Sequence, residues 1–262
     1  MLGISFVLRW ESSYVHVNMA KPNFWRIVYN VISQSDVILE ILDARLIDET
    51  RNKEIEERVF DENKKLIHVI NKIDLIDKNL IKEKLKELSN PVFVSSKERL
   101  GTTILKNKIM EVARRDNVVV GVVGYPNTGK SSVINAIAGS KKARTSPVSG
   151  FTKGIQKIKA GSRIILLDTP GVIPIDDNDV VKHALIGSKN AQNIKDADVV
   201  AIELIKALKG KVEKHYGVSV SDDYEQTLEK IALKMNRLKK GGLPDLDGIS
   251  KTIIMDWQRG RI

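Results

Sequence analysis

The sequence contains no cysteine, few histidines and no long apolar run. Without cysteine the chain has no disulfide, thiolate metal site, iron–sulfur cluster or cysteine nucleophile, which fits a reducing compartment. Four histidines leave little material for a metal site. No apolar run approaches the roughly 18 residues needed to span a bilayer, and the apolar start is too short for a signal peptide. We therefore expect a monomeric, cytoplasmic protein with no membrane partner.

Positive charge is concentrated in one part of the chain. The net charge is +10, and residues 101–168 contain 12 lysines and arginines but only 3 aspartates and glutamates, whereas residues 1–100 are balanced. This concentration favours a site for a polyanion, either a nucleotide or a nucleic acid. A general bias toward lysine and glutamate, as in thermophiles, would produce a similar excess. Charge alone therefore leaves both explanations open.

Short apolar segments alternate with amphipathic segments over residues 37–167. Five segments rich in valine, isoleucine and leucine predict buried strands at residues 37–42, 66–70, 92–94, 118–123 and 164–167. Helical spacing predicts helices at residues 52–60, 78–88, 102–115 and 130–138. The alternation is typical of an α/β fold with a doubly wound, mostly parallel sheet. The turn at Gly161 and Ser162 predicts one antiparallel hairpin, which would lie at the sheet edge.

The pattern changes near Gly187, after which no strand is predicted. Residues 197–208, 223–240 and 249–257 have helical patterns separated by glycines. We therefore divide the chain into an α/β domain over residues 1–190 and a small helical C-terminal domain over residues 191–262.

The strongest motif is a phosphate-binding loop, G-x-x-x-x-G-K-S, which runs from Gly124 to Ser131 between a valine-rich strand and a helix. Its glycines let backbone N–H groups and the helix N-terminus face phosphate oxygens. Lys130 is placed to reach the β- and γ-phosphates, and the Ser131 hydroxyl to bind Mg²⁺. The residues predicted to bind nucleotide here are Asn127, Thr128, Gly129, Lys130, Ser131 and Ser132.

A second motif, Asp168-Thr169-Pro170-Gly171, follows the strand at residues 164–167. Asp168 is placed to hold Mg²⁺ through water, and the Gly171 N–H to bind the γ-phosphate. In the lysine-rich segment before it, Thr152 is the hydroxyl expected to reach Mg²⁺ only when a γ-phosphate is present. The predicted Mg²⁺ ligands are Ser131, Thr152 and Asp168, and the predicted catalytic residues are Lys130, Thr152 and Gly171.

A third motif, Asn71-Lys72-Ile73-Asp74, follows the strand that ends at residue 70. The Asp74 carboxylate can accept hydrogen bonds from both N1 and N2 of guanine, whereas adenine offers no such pair of donors. The motif therefore favours GTP and GDP over adenine nucleotides. Ser95-Ser96-Lys97 follows the next strand and is predicted to complete the base site. The base-side residues are Asn71, Lys72, Asp74, Ser95, Ser96 and Lys97.

Together these are the five sequence elements of a Ras-like GTPase, but the base-reading motifs precede the phosphate loop. The sequence therefore resembles a circularly permuted Ras-like P-loop GTPase of the YlqF-like family, which includes bacterial ribosome biogenesis GTPase A. Asp43-Ala44-Arg45 and Met19-Ala20-Lys21 resemble two further motifs of that family. Residues 231–262 resemble its C-terminal helical RNA-binding domain.

The resemblance implies GTP hydrolysis coupled to assembly of the large ribosomal subunit through contacts with rRNA. It also implies K⁺ beside the phosphates, because Asn127 matches the asparagine that helps to hold K⁺ in potassium-dependent GTPases. Val172 stands where Ras-like proteins have the glutamine that orients water, so we expect slow basal hydrolysis that ribosomal particles stimulate. The family's proposed catalytic histidine is replaced by Asn18, with His16 nearby, which leaves the helper group open.

Two other functions stay open at the level of sequence. One is an RNA-binding assembly scaffold that uses guanine nucleotide as a conformational ligand with negligible turnover, which Val172 and the missing histidine favour. The other is an ATPase or kinase with the same phosphate loop, against which Asp74 argues. For a hydrolase, we expect loss of the γ-phosphate to relax residues 171–179 and shift the helical domain.

Overall fold

The computed structural model describes residues 23–139, 155–171 and 179–262. These residues form a six-stranded sheet in the order β3-β2-β1-β4-β6-β5. The strands are β1 (Val37–Asp43), β2 (Lys65–Asn71), β3 (Val92–Phe93), β4 (Val118–Val123), β5 (Gln156–Ala160) and β6 (Ile164–Asp168). All neighbouring strands are parallel except β5 and β6. The predicted mostly parallel sheet with one antiparallel edge is confirmed.

Helices cover both faces of this sheet. The described part of the α/β region contains α1 (Asn23–Gln34), α2 (Ile47–Thr50), α3 (Lys53–Asp61), α4 (Thr102–Ala113) and α5 (Lys130–Ala138). Leu105 of α4 and Val133 of α5 pack in one apolar cluster with alternate residues of the sheet. Trp25 of α1 and Ile55 of α3 pack against the other face. Because β1 is covered on both sides, all seven of its residues are buried.

A second apolar cluster organises the rest of the described chain. It is formed by α6 (Val180–Leu185), α7 (Ala197–Leu208), α8 (Lys211–Tyr216), α9 (Tyr224–Lys234) and α10 (Leu246–Gln258). We call these helices, the segments that join them and the residues after α10 the helical body. The cluster already includes Ala184 and Leu185, before the predicted division at residue 190, and that division stays a prediction. No helix in the described ranges is long and apolar enough to cross a bilayer.

The helix predicted at residues 78–88 is wrong. The segment forms two short 3₁₀ helices instead, Lys78–Ile81 and Lys84–Glu87. Backbone bonds between residues three apart, such as Leu88 N to Leu85 O at 3.2 Å, tighten its turns. Ile81 and Leu88 are both buried in a small cluster beside β1 and β2. Tertiary packing of these two side chains has therefore overridden the helical pattern.

The helix predicted at residues 223–240 ends early, at Lys234. Asn236 has φ 52°, in the left-handed region, and its N–H donates to Leu233 O at 3.1 Å. The N–H of Arg237 donates back to Ala232 O at 2.8 Å. This pair of bonds is the Schellman motif, and asparagine is one of the few residues that tolerates its left-handed position. The chain then forms a narrow loop, closed by a bridge between Leu238 and Pro244.

The carboxyl ends of the parallel strands meet at one edge of the sheet. Asp43 at the end of β1 lies opposite Asn71 at the end of β2. Val122 near the end of β4 lies opposite Asp168 at the end of β6. The loops that follow these four strands therefore converge, at the edge where open α/β sheets bind their ligands.

Candidate nucleotide-binding site

The loop between β4 and α5 requires glycine at two positions. Gly124 has φ 137° and Gly129 has φ 96°, where side chains are disfavoured. A Cβ atom at Gly129 would lie 2.3 Å from Asn71 Nδ2, and one at Gly124 would lie 2.7 Å from Ile41 O. The loop leads directly into the N-terminus of α5, whose first N–H groups have no helical acceptor. This arrangement suits a phosphate group.

Lys130 lies inside this loop. Its side chain is buried, and Nζ donates to Gly124 O at 3.1 Å and to Tyr125 O at 2.7 Å. Burial lowers the pKa of Lys130 to about 8, although the negative charge of Asp168 opposes the shift. The ammonium is therefore still mostly protonated at pH 7, as binding a polyphosphate requires.

Ser131 and Asp168 are brought together, as the sequence predicts for Mg²⁺ ligands. The Ser131 hydroxyl donates to Asp168 Oδ2 at 3.0 Å. Oδ1 of Asp168 is buried and has no hydrogen-bond partner among the described residues. Burial raises the pKa of Asp168, and Lys130 and Ser131 counteract this. An unsatisfied buried carboxylate oxygen beside a hydroxyl fits a hard cation with oxygen ligands, so these residues fit Mg²⁺.

Asn71 joins the base side of the site to the phosphate side. Its Nδ2 donates to Thr128 O at 2.9 Å, and its Oδ1 accepts from Ser96 N at 3.1 Å. The side-chain amide therefore holds the loop after β2 against the loop after β4 and the loop after β3. Direct contact between Asn71 and a nucleotide stays a prediction.

The carboxylate of Asp74, which is predicted to bind the base, has a fixed hydrogen-bond partner. Ser95 is fully buried, and its hydroxyl donates to Asp74 Oδ1 at 2.6 Å while accepting from Glu98 N at 3.1 Å. The rest of the Asp74 carboxylate is exposed to the cleft, which Ser96 and Lys97 also line. Ser95 thus orients the Asp74 carboxylate, so the two motifs that are predicted to bind the base are joined by a hydrogen bond.

Gly171 packs against the phosphate loop, where a Cβ atom would lie 2.6 Å from the backbone N of Pro126. Asn127 has φ 61°, and its side-chain amide donates to Gly187 O in the helical body. The role of Gly171 at the γ-phosphate and that of Asn127 at K⁺ stay predictions. Several residues named from the sequence lie outside the described ranges: Thr152, Val172, His16, Asn18 and the motif Met19-Ala20-Lys21.

Asp43 is a further charged residue at this edge, whose role the sequence did not reveal. Its carboxylate is buried and accepts from Arg45 Nε at 3.0 Å, Arg45 Nη2 at 2.8 Å and Lys72 Nζ at 2.7 Å. Burial alone would raise the pKa of Asp43, but the charges of Lys72 and Arg45 outweigh it and hold the pKa below its usual range. Lys72 of the base-reading motif is therefore fixed through Asp43.

Arg45 extends this ion network into the helical body. Its Nη1 donates to Trp257 O at 2.6 Å, and its guanidinium carbon lies 4.2 Å from the centre of the Trp257 ring. The contact joins residues 212 positions apart in the chain. The sequence signal was the Asp43-Ala44-Arg45 motif at the end of a strand parallel to the one before Asn71, but no pattern indicated Trp257 as its partner.

The loops and the helical body enclose a cleft of about 670 Å³, a size suited to a small ligand. Predicted nucleotide-binding residues line one part of it: Asn71, Lys72, Asp74, Ser96, Lys97, Asn127, Gly129 and Ser132. The rest is lined by Leu75 and by residues of the helical body that the sequence did not indicate: Asn190, Gln192, Met255, Gln258 and Arg259. The helical body is therefore part of the site.

A separate buried cluster, Glu40, Glu56 and His68, lies between β1, α3 and β2; we call it the Glu–His cluster. His68 Nδ1 accepts from Ser89 N at 2.8 Å, so the imidazole proton lies on Nε2, which faces Glu40 Oε2 at 3.2 Å. A metal on Nε2 would displace this proton to Nδ1, where it would oppose the Ser89 N–H. Because Nδ1 already accepts from a backbone N–H, the cluster is poorly suited to metal binding.

Comparison with known sequences agrees with these motifs. The family model described as 50S ribosome-binding GTPase matches residues 119–248. GTP-binding protein MJ1464 of Methanocaldococcus jannaschii is 42% identical over 245 residues, which is 90% of this chain and 65% of that protein. Nucleolar GTP-binding protein 2 of Saccharomyces cerevisiae is 34% identical over 272 residues, which is 97% of this chain and 55% of that protein. The chain thus spans about half to two thirds of the length of these relatives.

Comparison with solved structures identifies the fold. YlqF from T. maritima in its GNP-bound form has a TM-score of 0.65 and 23% sequence identity, and the match covers 91% of this chain and 94% of that chain. The GDP-bound form of YlqF matches with the same TM-score. The chain therefore has the α/β fold of YlqF and a sequence similar to GTP-binding proteins, and its Asn71-Lys72-Ile73-Asp74 motif precedes the phosphate loop, as in a circularly permuted P-loop GTPase.

Proposed function

We propose that the protein binds GTP, hydrolyses it to GDP and couples this cycle to assembly of the large ribosomal subunit through contacts with rRNA. The observation that carries the proposal is the edge of the sheet described above. There a phosphate loop with a buried lysine and an aspartate held by Ser95 line the same cleft. The phosphate loop suits a polyphosphate, and the aspartate suits guanine.

Guanine selection would depend on Asp74. Ser95 donates to one carboxylate oxygen and fixes its plane, while the exposed part of the carboxylate faces the cleft. Guanine N1 and N2 can both donate to this carboxylate, whereas adenine would leave the charge without a partner. An adenine nucleotide would therefore bind much more weakly, which argues against an ATPase or kinase.

Hydrolysis would depend on positioning and charge neutralisation, not on a covalent intermediate. Lys130 and the N–H groups at the start of α5 would hold the phosphates. Ser131 and Asp168 would hold Mg²⁺, with Thr152 as the further ligand expected in the triphosphate state; when bound, the ion neutralises phosphate charge. Gly171 would donate its N–H to the γ-phosphate. We propose K⁺ binding beside Asn127 as a further source of stimulation.

The ribosomal part of the proposal is supported by the family description and by an exposed cationic loop. Every residue from 233 to 243 is exposed, and the loop is held by a backbone bond from Lys239 N to Leu243 O at 2.8 Å. Three cationic side chains project from it: Arg237, Lys239 and Lys240. A loop closed by backbone contacts, whose three cations have no ion pair among the described residues, suits RNA phosphates. The outward-facing Lys157 and Lys159 of β5 add positive charge at the sheet edge.

One sequence observation favours a second candidate, an RNA-binding scaffold with negligible turnover. Val172 directly follows Gly171, and an apolar side chain cannot orient the attacking water. In a scaffold, guanine nucleotide would only select one conformation of the protein.

Nucleotide specificity is tested by calorimetric titration with GDP and ADP in the presence of Mg²⁺. The proposal predicts binding of GDP and little binding of ADP. Asp74→Asn should weaken GDP at least about 100-fold, because two hydrogen bonds to a charged acceptor are lost. It should strengthen binding of xanthosine diphosphate, whose C2 carbonyl can accept from the amide. Asp77→Asn exchanges the same groups outside the cleft and should leave GDP affinity unchanged. Preference for ADP would refute the proposal.

Turnover is tested by GTP hydrolysis in KCl and in NaCl, with and without large ribosomal subunits. Stimulation by the subunits supports the proposed function, and stimulation by KCl supports the K⁺ site. Lack of stimulation under all conditions, with GDP binding intact, would favour the scaffold. Affinity for large-subunit rRNA should differ between the GDP state and the state with a non-hydrolysable GTP analogue; equal affinities would refute the coupling.

A further inference from the structure

The end of α10 packs directly on the base-reading loop. Gly260 follows α10 with φ 67°, and a Cβ atom there would lie 2.6 Å from the side chain of Leu75, the residue after Asp74. On its other side, Trp257 is held by Arg45, which shares Asp43 with Lys72. Two independent contacts therefore fix the carboxyl end of α10 beside the place where the base is expected.

The last turn of α10 is also fixed to the rest of the helical body. Nε2 of Gln258 donates to Ala184 O at 2.7 Å and to Lys189 O at 3.2 Å, and Trp257 Nε1 donates to Leu185 O at 2.8 Å. These bonds tie α10 to the segment that contacts the phosphate loop through Gly187 and Asn127. The helical wall of the cleft is consequently rigid on both its base side and its phosphate side.

Arg259 stands out among the residues on this wall. Its side chain is exposed and lines the cleft, and its guanidinium has no hydrogen-bond, ion-pair or ring partner among the described residues. Neighbouring arginines are neutralised, since Arg261 pairs with Asp256 at 2.9 Å and Arg45 with Asp43 at 2.8 Å. Arg259 is the only one of the five helical-body residues lining this cleft, in the described part of the chain, that carries a charge.

We propose that Arg259 is a nucleotide-binding residue contributed by the helical body, and that its guanidinium packs against the face of the bound guanine. The adjacent contact of Gly260 with Leu75 places Arg259 beside the base-reading loop. A planar guanidinium is suited to cover an aromatic ring by stacking and cation–π attraction. This inference rests on the proposed function, because it adds a contact to the same guanine nucleotide.

The test is GDP affinity, measured by calorimetry on the full chain with Mg²⁺. Arg259→Met should bind GDP about 5- to 30-fold more weakly, the range for a cation–π contact in a partly desolvated site. Arg259→Phe should stay within about threefold of the wild-type protein, because an aromatic ring also covers a purine face. Arg163→Met removes an exposed arginine that lies outside the cleft and should leave GDP affinity unchanged.

The melting temperatures of nucleotide-free Arg259→Met and wild-type protein should be equal, because the side chain has no structural partner. A GDP affinity of Arg259→Met within about twofold of wild type would overturn the inference. Equal losses for Arg259→Met and Arg259→Phe would also overturn it, because they would show that charge and not ring coverage matters. Wild-type protein that binds no GDP would instead refute the proposed function itself.

Discussion

Removal of the Asp43 carboxylate should destabilise the protein strongly. The Asp43, Arg45 and Lys72 side chains are 1%, 5% and 20% exposed, so the Asp43→Asn variant would leave two largely buried cations without their anion. Breaking a buried ion pair by removing one partner costs about 3 to 5 kcal/mol. For a chain of this size, such a loss corresponds to a decrease in melting temperature of roughly 6 to 20 °C.

The measurement is urea denaturation of the nucleotide-free protein, which gives the free energy of unfolding. Asp48→Asn is the matched control, because Asp48 pairs with Lys84 and the two side chains are 51% and 34% exposed. A surface pair contributes no more than about 1 kcal/mol. If Asp43→Asn and Asp48→Asn lose similar free energies, the view that a buried ion network organises this edge is wrong.

The same network makes a prediction about acid. Ion pairing holds the pKa of Asp43 below its ordinary value of 3.8, so the stabilisation is fully present above that pH and is lost as the pH falls further. The difference in unfolding free energy between wild type and Asp43→Asn should therefore be constant from pH 7 to pH 5 and shrink below about pH 4. A difference that grew on acidification would contradict the assignment.

Three further results are expected. GDP affinity should fall about tenfold from pH 7 to pH 9, because the free protein loses the Lys130 proton near pH 8 and a bound phosphate restores it. Calorimetry in two buffers should show the proton uptake on binding. An affinity that is independent of pH would count against this prediction. Reversing three charges of the exposed loop should weaken rRNA binding and flatten its salt dependence, without changing GDP affinity; the substitutions are Arg237→Glu, Lys239→Glu and Lys240→Glu. Adding Zn²⁺ should leave the melting temperature unchanged, whereas a shift that is lost in the Glu–His cluster variant His68→Gln would show that a metal binds there.

The phosphate loop could be predicted from sequence because each requirement is local. Gly124 and Gly129 satisfy close backbone approaches, and the parallel strands bring Asp168 to the same edge. The early end of α9 was missed because it depends on one asparagine in a left-handed conformation, which a hydrophobic pattern does not indicate. The helical wall of the cleft was missed for a different reason. Arg259 reaches the site through packing between segments far apart in the chain, and no spacing rule connects it to Asp74.

These contacts also constrain how the helical body and the nucleotide can influence each other. Lys72 is tied through Asp43 and Arg45 to Trp257, and the phosphate loop is tied through Asn127 to Gly187. A partner that holds the helical body in another position must therefore disturb both the base side and the phosphate side of the cleft. By linkage, an RNA that changes GDP affinity by some factor must have its own affinity changed by GDP by the same factor. Measuring GDP affinity with and without RNA, and RNA affinity with and without GDP, would show whether the helical body transmits nucleotide state to RNA. The two factors must be equal by thermodynamics, so unequal values would indicate an error in the measurement. A factor of one would mean that the helical body transmits nothing.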